Sequence, residues 1–236
     1  GGMLKDRTDK IDLSPDTILA LYSTLFFRAK WSDEFNSKNN TNDIFHGVNG
    51  DTNVTYMNKK LCQMNYYWHD DFSAVQLYLK NGSSMWFILP DEGKTTADVL
   101  NDGAYGEMIS SGDGEEGWQN KKYMKVNLSV PKFDVSSTVN LKDGLGRIGV
   151  TKVFDVESSD FTAITFDSPV FVSAVNQSAR VEIDEKGVKA ATYIEIPGAG
   201  SAMPPEEIID FVLDRPFVFV ISKGNLPLFT GVVNNI

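Results

Sequence analysis

An α+β fold, mainly β with a few short helices, is what the sequence predicts. Three observations carry that prediction. Short apolar runs recur along the chain and alternate with period two, as in Val181-Glu182-Ile183-Asp184. Turn-rich pieces separate them, among them Lys80-Asn81-Gly82 and Pro90-Asp91-Glu92-Gly93. Only residues 95–110 and 140–148 have helical spacing.

The elements follow in order. Residues 17–27 (TILALYSTLFF) are apolar on both alternating faces, which predicts a central strand buried on each side. Strands are expected at 53–57, 63–68, 72–79 and 84–89. Residues 95–110 predict a helix that Thr95 caps. Residues 113–117 form an acidic, glycine-rich loop, and 122–130 alternate again as a strand. A short helix is expected at 140–148 and a strand at 169–184. The last two strands fall at 215–222 and 228–233. No repeat and no Pro/Ser-rich linker interrupts the chain, so residues 1–236 are expected to form one domain.

Composition narrows the function classes. A net charge of −10 argues against a nucleic-acid partner, which would need clustered Lys and Arg. No run of about 18 apolar residues exists, so no membrane span is expected. Cys62 is the single cysteine, which forbids an internal disulfide. Sequons stand at Asn39, Asn53, Asn81, Asn127 and Asn176, several of them inside strand-like runs.

The stretch 181–205 (VEIDEKGVKAATYIEIPGAGSAMPP) stands apart. It opens as an alternating strand and loses its large apolar residues at Gly187. Ala190, Ala191, Gly198, Ala199, Gly200, Ser201 and Ala202 bury little surface, and Pro204-Pro205 close the segment. A strand running into a long, weakly anchored loop is a segment built to be reached or moved.

Four motifs, in order along the chain, resemble those of the serpins. Residues 23–31 (STLFFRAKW) are similar to the family's strand that ends in a buried tryptophan. Glu185-Lys186-Gly187-Val188-Lys189-Ala190-Ala191-Thr192 resembles the hinge, with its Glu-x-Gly start and small residues. Residues 211–221 (FVLDRPFVFVI) resemble the C-terminal signature, and 227–234 (PLFTGVVN) the ending. The resemblance implies serpin-like mixed sheets and a hinge and reactive-centre loop at 185–205. It also implies a non-enzymatic, cofactor-free, metal-free suicide inhibitor of a serine (or cysteine) endopeptidase, secreted or at the cell surface. The family's long N-terminal helical region has no counterpart here. Gly1-Gly2-Met3 is read as an internal start, with a missing N-terminal segment of the same protein as a possible partner.

The resemblance also implies roles for particular residues. It places the hinge at Glu185, Gly187, Val188, Ala190, Ala191 and Thr192. The scissile bond falls fourteen residues past Gly187, at Ser201-Ala202, and counting back from Pro204-Pro205 gives the same bond. Trp31, Lys132 and Glu185 are expected to meet at the breach, where the sheet opens. At the shutter, Ser23 and Gln177 replace the usual Asn and His and retain hydrogen-bonding groups. A small residue at Ser201 suits a protease with a shallow primary pocket, elastase-like or subtilisin-like. Alternation puts Val188, Ala190, Thr192, Ile194 and Ile196 on one uncharged face, as insertion over a core requires. Lys189 and Pro197 depart from an efficient inserting strand, since proline cannot donate to a ladder. They favour the alternative of a non-inhibitory binding protein, or a truncated remnant cleaved as a substrate.

Rival chemistry is weak. Gly144-Leu-Gly146-Arg-Ile-Gly149 fits a dinucleotide pattern, but glycines at a helix end are the simpler account. No G-x-S-x-G elbow is present, and Cys62, His46 and His69 do not suggest a triad. His69, Asp70 and Asp71 are expected to alternate faces on a strand, which makes a poor metal cage.

Overall fold

The computed structural model describes residues 19–112, 117–164, 170–188 and 207–236. The fold is α+β, with mixed sheets and few helices. Two compact units emerge from the packing. Of the described residues, one unit comprises those up to Phe27 and those within Val135–Val181, the other those within Arg28–Asp134 and Glu182–Ile236.

The second unit is built on an eight-stranded sheet. Its strands are β3 (Thr41–Gly47), β4 (Gly50–Trp68), β5 (Phe72–Tyr78), β6 (Ser83–Pro90), β7 (Lys121–Pro131), β11 (Ile208–Val212), β12 (Phe217–Lys223) and β13 (Leu226–Val233). The order is β11-β7-β4-β5-β6-β12-β13, with β3 beside β4. The 19-residue β4 is the spine. It pairs with β7 along one edge, and with β3 and then β5 along the other. The two strands expected at 53–57 and 63–68 are therefore one. No Gly or Pro separates them, and a bulge at Lys59–Cys62, with Leu61 at φ 53°, absorbs the irregularity.

Both faces of the sheet centre are covered. Every residue of β6 is buried. On one face Trp86 and Ile88 pack with Val218 and Val220 beneath α1 (Thr96–Asp102) and α2 (Ala104–Ser111) through Val99, Met108 and Ile109. On the other, Phe87, Phe133, Phe217 and Phe219 form a ladder of ring contacts at 5.5–6.1 Å. Thr95 caps α1 in a reciprocal capping box with Asp98. The single helix expected at 95–110 is split because Gly103 turns left-handed at φ 77° and ends α1.

The first unit carries a three-stranded sheet, order β1-β9-β8, from β1 (Leu19–Phe26), β8 (Asp134–Asn140) and β9 (Val172–Glu182). β1 and β9 run parallel. Leu21 and Tyr22 are 49% and 44% exposed, so β1 is not buried on each side as its composition predicts. Among the described residues it lies at the edge of this sheet, paired with β9. α3 (Lys142–Arg147) holds Gly144 and Gly146, with Gly149 beyond its end. The glycines therefore do not form the strand-to-helix turn that a dinucleotide site needs. Among the described residues, no helix is long and apolar enough to cross a membrane.

Candidate functional site

The chain leaves β9 through a tight turn that the sequence dictates. Asp184 Oδ1 accepts from the backbone N–H of Lys186 (2.8 Å) and Gly187 (3.1 Å), an Asx turn. Asp184 and Gly187 also exchange backbone bonds at 3.1 and 3.2 Å. The turn brings β10 (Gly187–Val188) back antiparallel onto β2 (Ala29–Lys30). Gly187 has φ 127°, and a Cβ there would lie 2.5 Å from Trp31 N and 2.6 Å from Ala29 O. Only glycine fits both the dihedral and the space.

Trp31 anchors the outside of the turn. Its indole is 1% exposed, packed edge-on to Phe35 at 5.9 Å, and its Nε1 donates to Asp184 O at 2.8 Å. Trp31 N donates to Lys186 O and Phe35 N to Glu185 O. Four consecutive residues, Asp184 to Gly187, are thus tied by backbone atoms to the segment 29–35.

Glu185 faces the neighbouring strand end. Lys132 Nζ lies 2.6 Å from Glu185 Oε1, and Asn40 Nδ2 donates to the same oxygen at 2.5 Å. Burial alone would raise this carboxyl. The hydrogen bonds from Lys132 and Asn40 outweigh it and hold the group below its ordinary range. Trp31, Lys132 and Glu185 are therefore gathered in one corner, with two residues that sequence reasoning missed, Asn40 and Asp184. Asn40 is 145 residues from Glu185 and sits in a run of asparagines that suggests only a sequon. Asp184, by contrast, stands two and three residues before amides it binds, a spacing that marks an Asx turn in any sequence.

In the first unit Ser23 and Gln177 are register partners across β1 and β9, midway along the pairing that runs from Leu19↔Val172 to Phe26↔Arg180. Ala190, Ala191, Thr192, Ser201 and Ala202 lie outside the described residues. The Cys62 thiol is half-buried and burial pushes its pKa up, the wrong direction for a nucleophile.

Comparison with known proteins identifies the fold as that of a serpin. The sequence profile of the serpins, "Serpin (serine protease inhibitor)", matches residues 1–236. The chain belongs to the serpin family. It is 33% identical over 234 residues to an alpha-1-antitrypsin-like protein of Tamias sibiricus, covering 95% of this chain and 52% of that protein. It is 33% identical over 230 residues to the alpha-1-antiproteinase of Ovis aries, again covering 95% and 52%. The chain thus spans about half the length of the curated relatives it matches. A serpin from the trematode Schistosoma haematobium superposes with a TM-score of 0.76 at 26% identity, covering 98% of this chain and 62% of that one. The thermophilic serpin tengpin in its native state gives a TM-score of 0.77 at 24% identity, covering 99% and 61%.

Proposed function

We propose that this chain carries the reactive loop, hinge and sheet seam of a suicide inhibitor of a serine endopeptidase with a shallow primary pocket, elastase-like or subtilisin-like. The protease attacks the Ser201 carbonyl, expels the Ala202 amine and is held as an acyl-enzyme. The freed loop then enters the sheet between β1 and β9, carrying the enzyme with it. A fourteen-residue extended segment reaches roughly 45–50 Å. Glu185, Gly187, Val188, Ala190, Ala191 and Thr192 act as the hinge, Trp31, Lys132 and Glu185 as the breach, and Ser23 with Gln177 as the shutter.

The observation that carries this reading is the parallel pairing of β1 with β9 over eight residues. A segment returning from the C-terminal end of β9 through a short turn runs antiparallel to β9, and so antiparallel to β1 as well. Insertion would replace one parallel ladder with two antiparallel ones, which bond better per residue. Each new ladder bond nets only about 1 kcal/mol, so the drive comes from their number and from the uncharged face of the loop that insertion would bury. The names of the Tamias and Ovis relatives support a protease as the partner.

Pro197 favours the second reading, a non-inhibitory member or a remnant cleaved as a substrate, because it removes a donor from the inserting strand. Mixing the protein with pancreatic elastase or subtilisin and running a denaturing gel separates the two. Inhibition gives a covalent band near the summed mass, and the second reading gives a cut loop without it. Val188→Arg places a charge on the inserting face and should abolish that band while cleavage continues. Equal trapping by parent and variant would exclude hinge insertion.

A further inference from the structure

We infer that His69, Asp71 and Asp102 form a binding site for a divalent transition-metal cation, with zinc the best match to the ligand set. Two segments supply them: His69 and Asp71 stand in the β4–β5 turn, and Asp102 is the last residue of α1. The strand-like alternation expected for residues 69–71 does not occur, because β4 ends at Trp68. His69 N donates to Phe72 O at 2.8 Å and Asp91 N to Asp71 O at 2.9 Å, so the turn is pinned at both residues. One ligand atom from each side chain falls within 4.8 Å of the other two.

Two features of this cluster point to a cation. The first is the imidazole. It stacks on Phe72 at 5.4 Å and leans on Trp118 at 5.9 Å, so packing fixes its plane. Its Nδ1 is shielded from solvent without a hydrogen-bond partner, yet points toward Asp102 Oδ2 at 3.5 Å. A buried, unpartnered ring nitrogen is uncommon and marks a place where an ion or water belongs. The second is Asp102. A carboxylate at a helix C-terminus faces the carbonyl end of the helix, where a cation is favoured. A metal ion held by Asp102 and Nδ1 would answer both.

Ligand chemistry selects the ion. Calcium and magnesium take oxygen donors, whereas one imidazole with two carboxylates suits zinc and its neighbours. Bonds of about 2.0–2.2 Å place tetrahedral ligand atoms about 3.3 Å apart. Rotation of the 39%-exposed Asp102 side chain draws its oxygen inward, and water completes the shell. Lys94 Nζ sits 2.5 Å from Asp71 Oδ1, so the ion would be taken by the other carboxylate oxygen. Its positive charge opposes the incoming cation and lowers the affinity.

The test is calorimetric titration of the chelator-washed protein with zinc chloride alone at neutral pH. The chain has only two histidines, which makes the assay clean. The expected result is saturable binding of one equivalent that magnesium does not displace. His69→Gln and Asp102→Asn should each weaken it at least tenfold, and His46→Gln should leave it unchanged. Lys94→Gln should tighten it severalfold, which mere loss of structure would not do. No saturable binding by the parent, or parent-like binding by Asp102→Asn, overturns the proposal. If His69→Gln fails to fold, Asp102→Asn decides alone, since its side chain lies at an exposed helix end.

Discussion

Replacing Gly187 with alanine tests whether the chain is steered off β9 by close backbone contact. Two costs add. An L-residue at φ 127° is held in a region that only glycine occupies comfortably, worth about 1–3 kcal/mol. The new methyl would also overlap Lys30 Cα, Trp31 N and Ala29 O, all backbone atoms that cannot rotate away. Overpacking of that kind costs about 1–3 kcal/mol. The sum, about 2–6 kcal/mol, lowers Tm by roughly 5–20 °C for a chain of this size. Gly82→Ala is the control without overlap. Its φ of 77° is also positive, but nothing stands within 4 Å of a Cβ, so it carries only the smaller dihedral cost of the left-handed region. Thermal unfolding of parent and both variants at one scan rate gives the comparison. If Gly187→Ala unfolds within about 0.5 kcal/mol of Gly82→Ala, the close approach to residues 29–31 is not holding the turn.

Two further predictions concern the same unit. Glu185→Gln should cost about 1 kcal/mol at neutral pH, a figure kept small because Lys132 is partly exposed. The folded carboxyl lies below its unfolded value of about 4.3, so its contribution is complete above that pH and fades as pH falls through the lower folded value. Denaturation at about pH 7 and about pH 3 should show the gap to parent closing in acid, and an unchanged gap would refute the assignment. Gly231→Ala should destabilise by about 1–3 kcal/mol, because its Cβ would overlap the buried Phe219 ring, which Phe133 holds at 5.5 Å. Adding Phe219→Leu should recover part of that loss in a double-mutant cycle, and strict additivity would count against the contact.

Local chemistry was legible where it was self-contained. The strand at 84–89 and the Thr95 cap needed only an apolar run bounded by turns and a hydroxyl before a helical run, and both appear as β6 and the capping box. Signals shared across the sheet were not. The polar β3, TNDIFHG, buries only Phe45 and reads as loop, yet pairing with β4 makes it a strand. The Gly103 break in the helix is visible only once its left-handed φ is known, since an isolated glycine is tolerated in helices. At the corner around Glu185, Trp31 and Glu185 are reached through family likeness. The bond from Asn40 to Glu185 depends on two distant strand ends meeting, which no local pattern encodes.

The pairing of β6 with β12 has a consequence for biosynthesis. Val218 sits opposite Ile88, 130 positions later in the chain. Until β12 leaves the ribosome, β6 presents an open hydrogen-bonding edge and two oily faces. Contacts of such long span are slow to form and leave nascent chains prone to sticking together. Holding that edge safe until β12 emerges is therefore a task for chaperones or for other parts of the growing polypeptide.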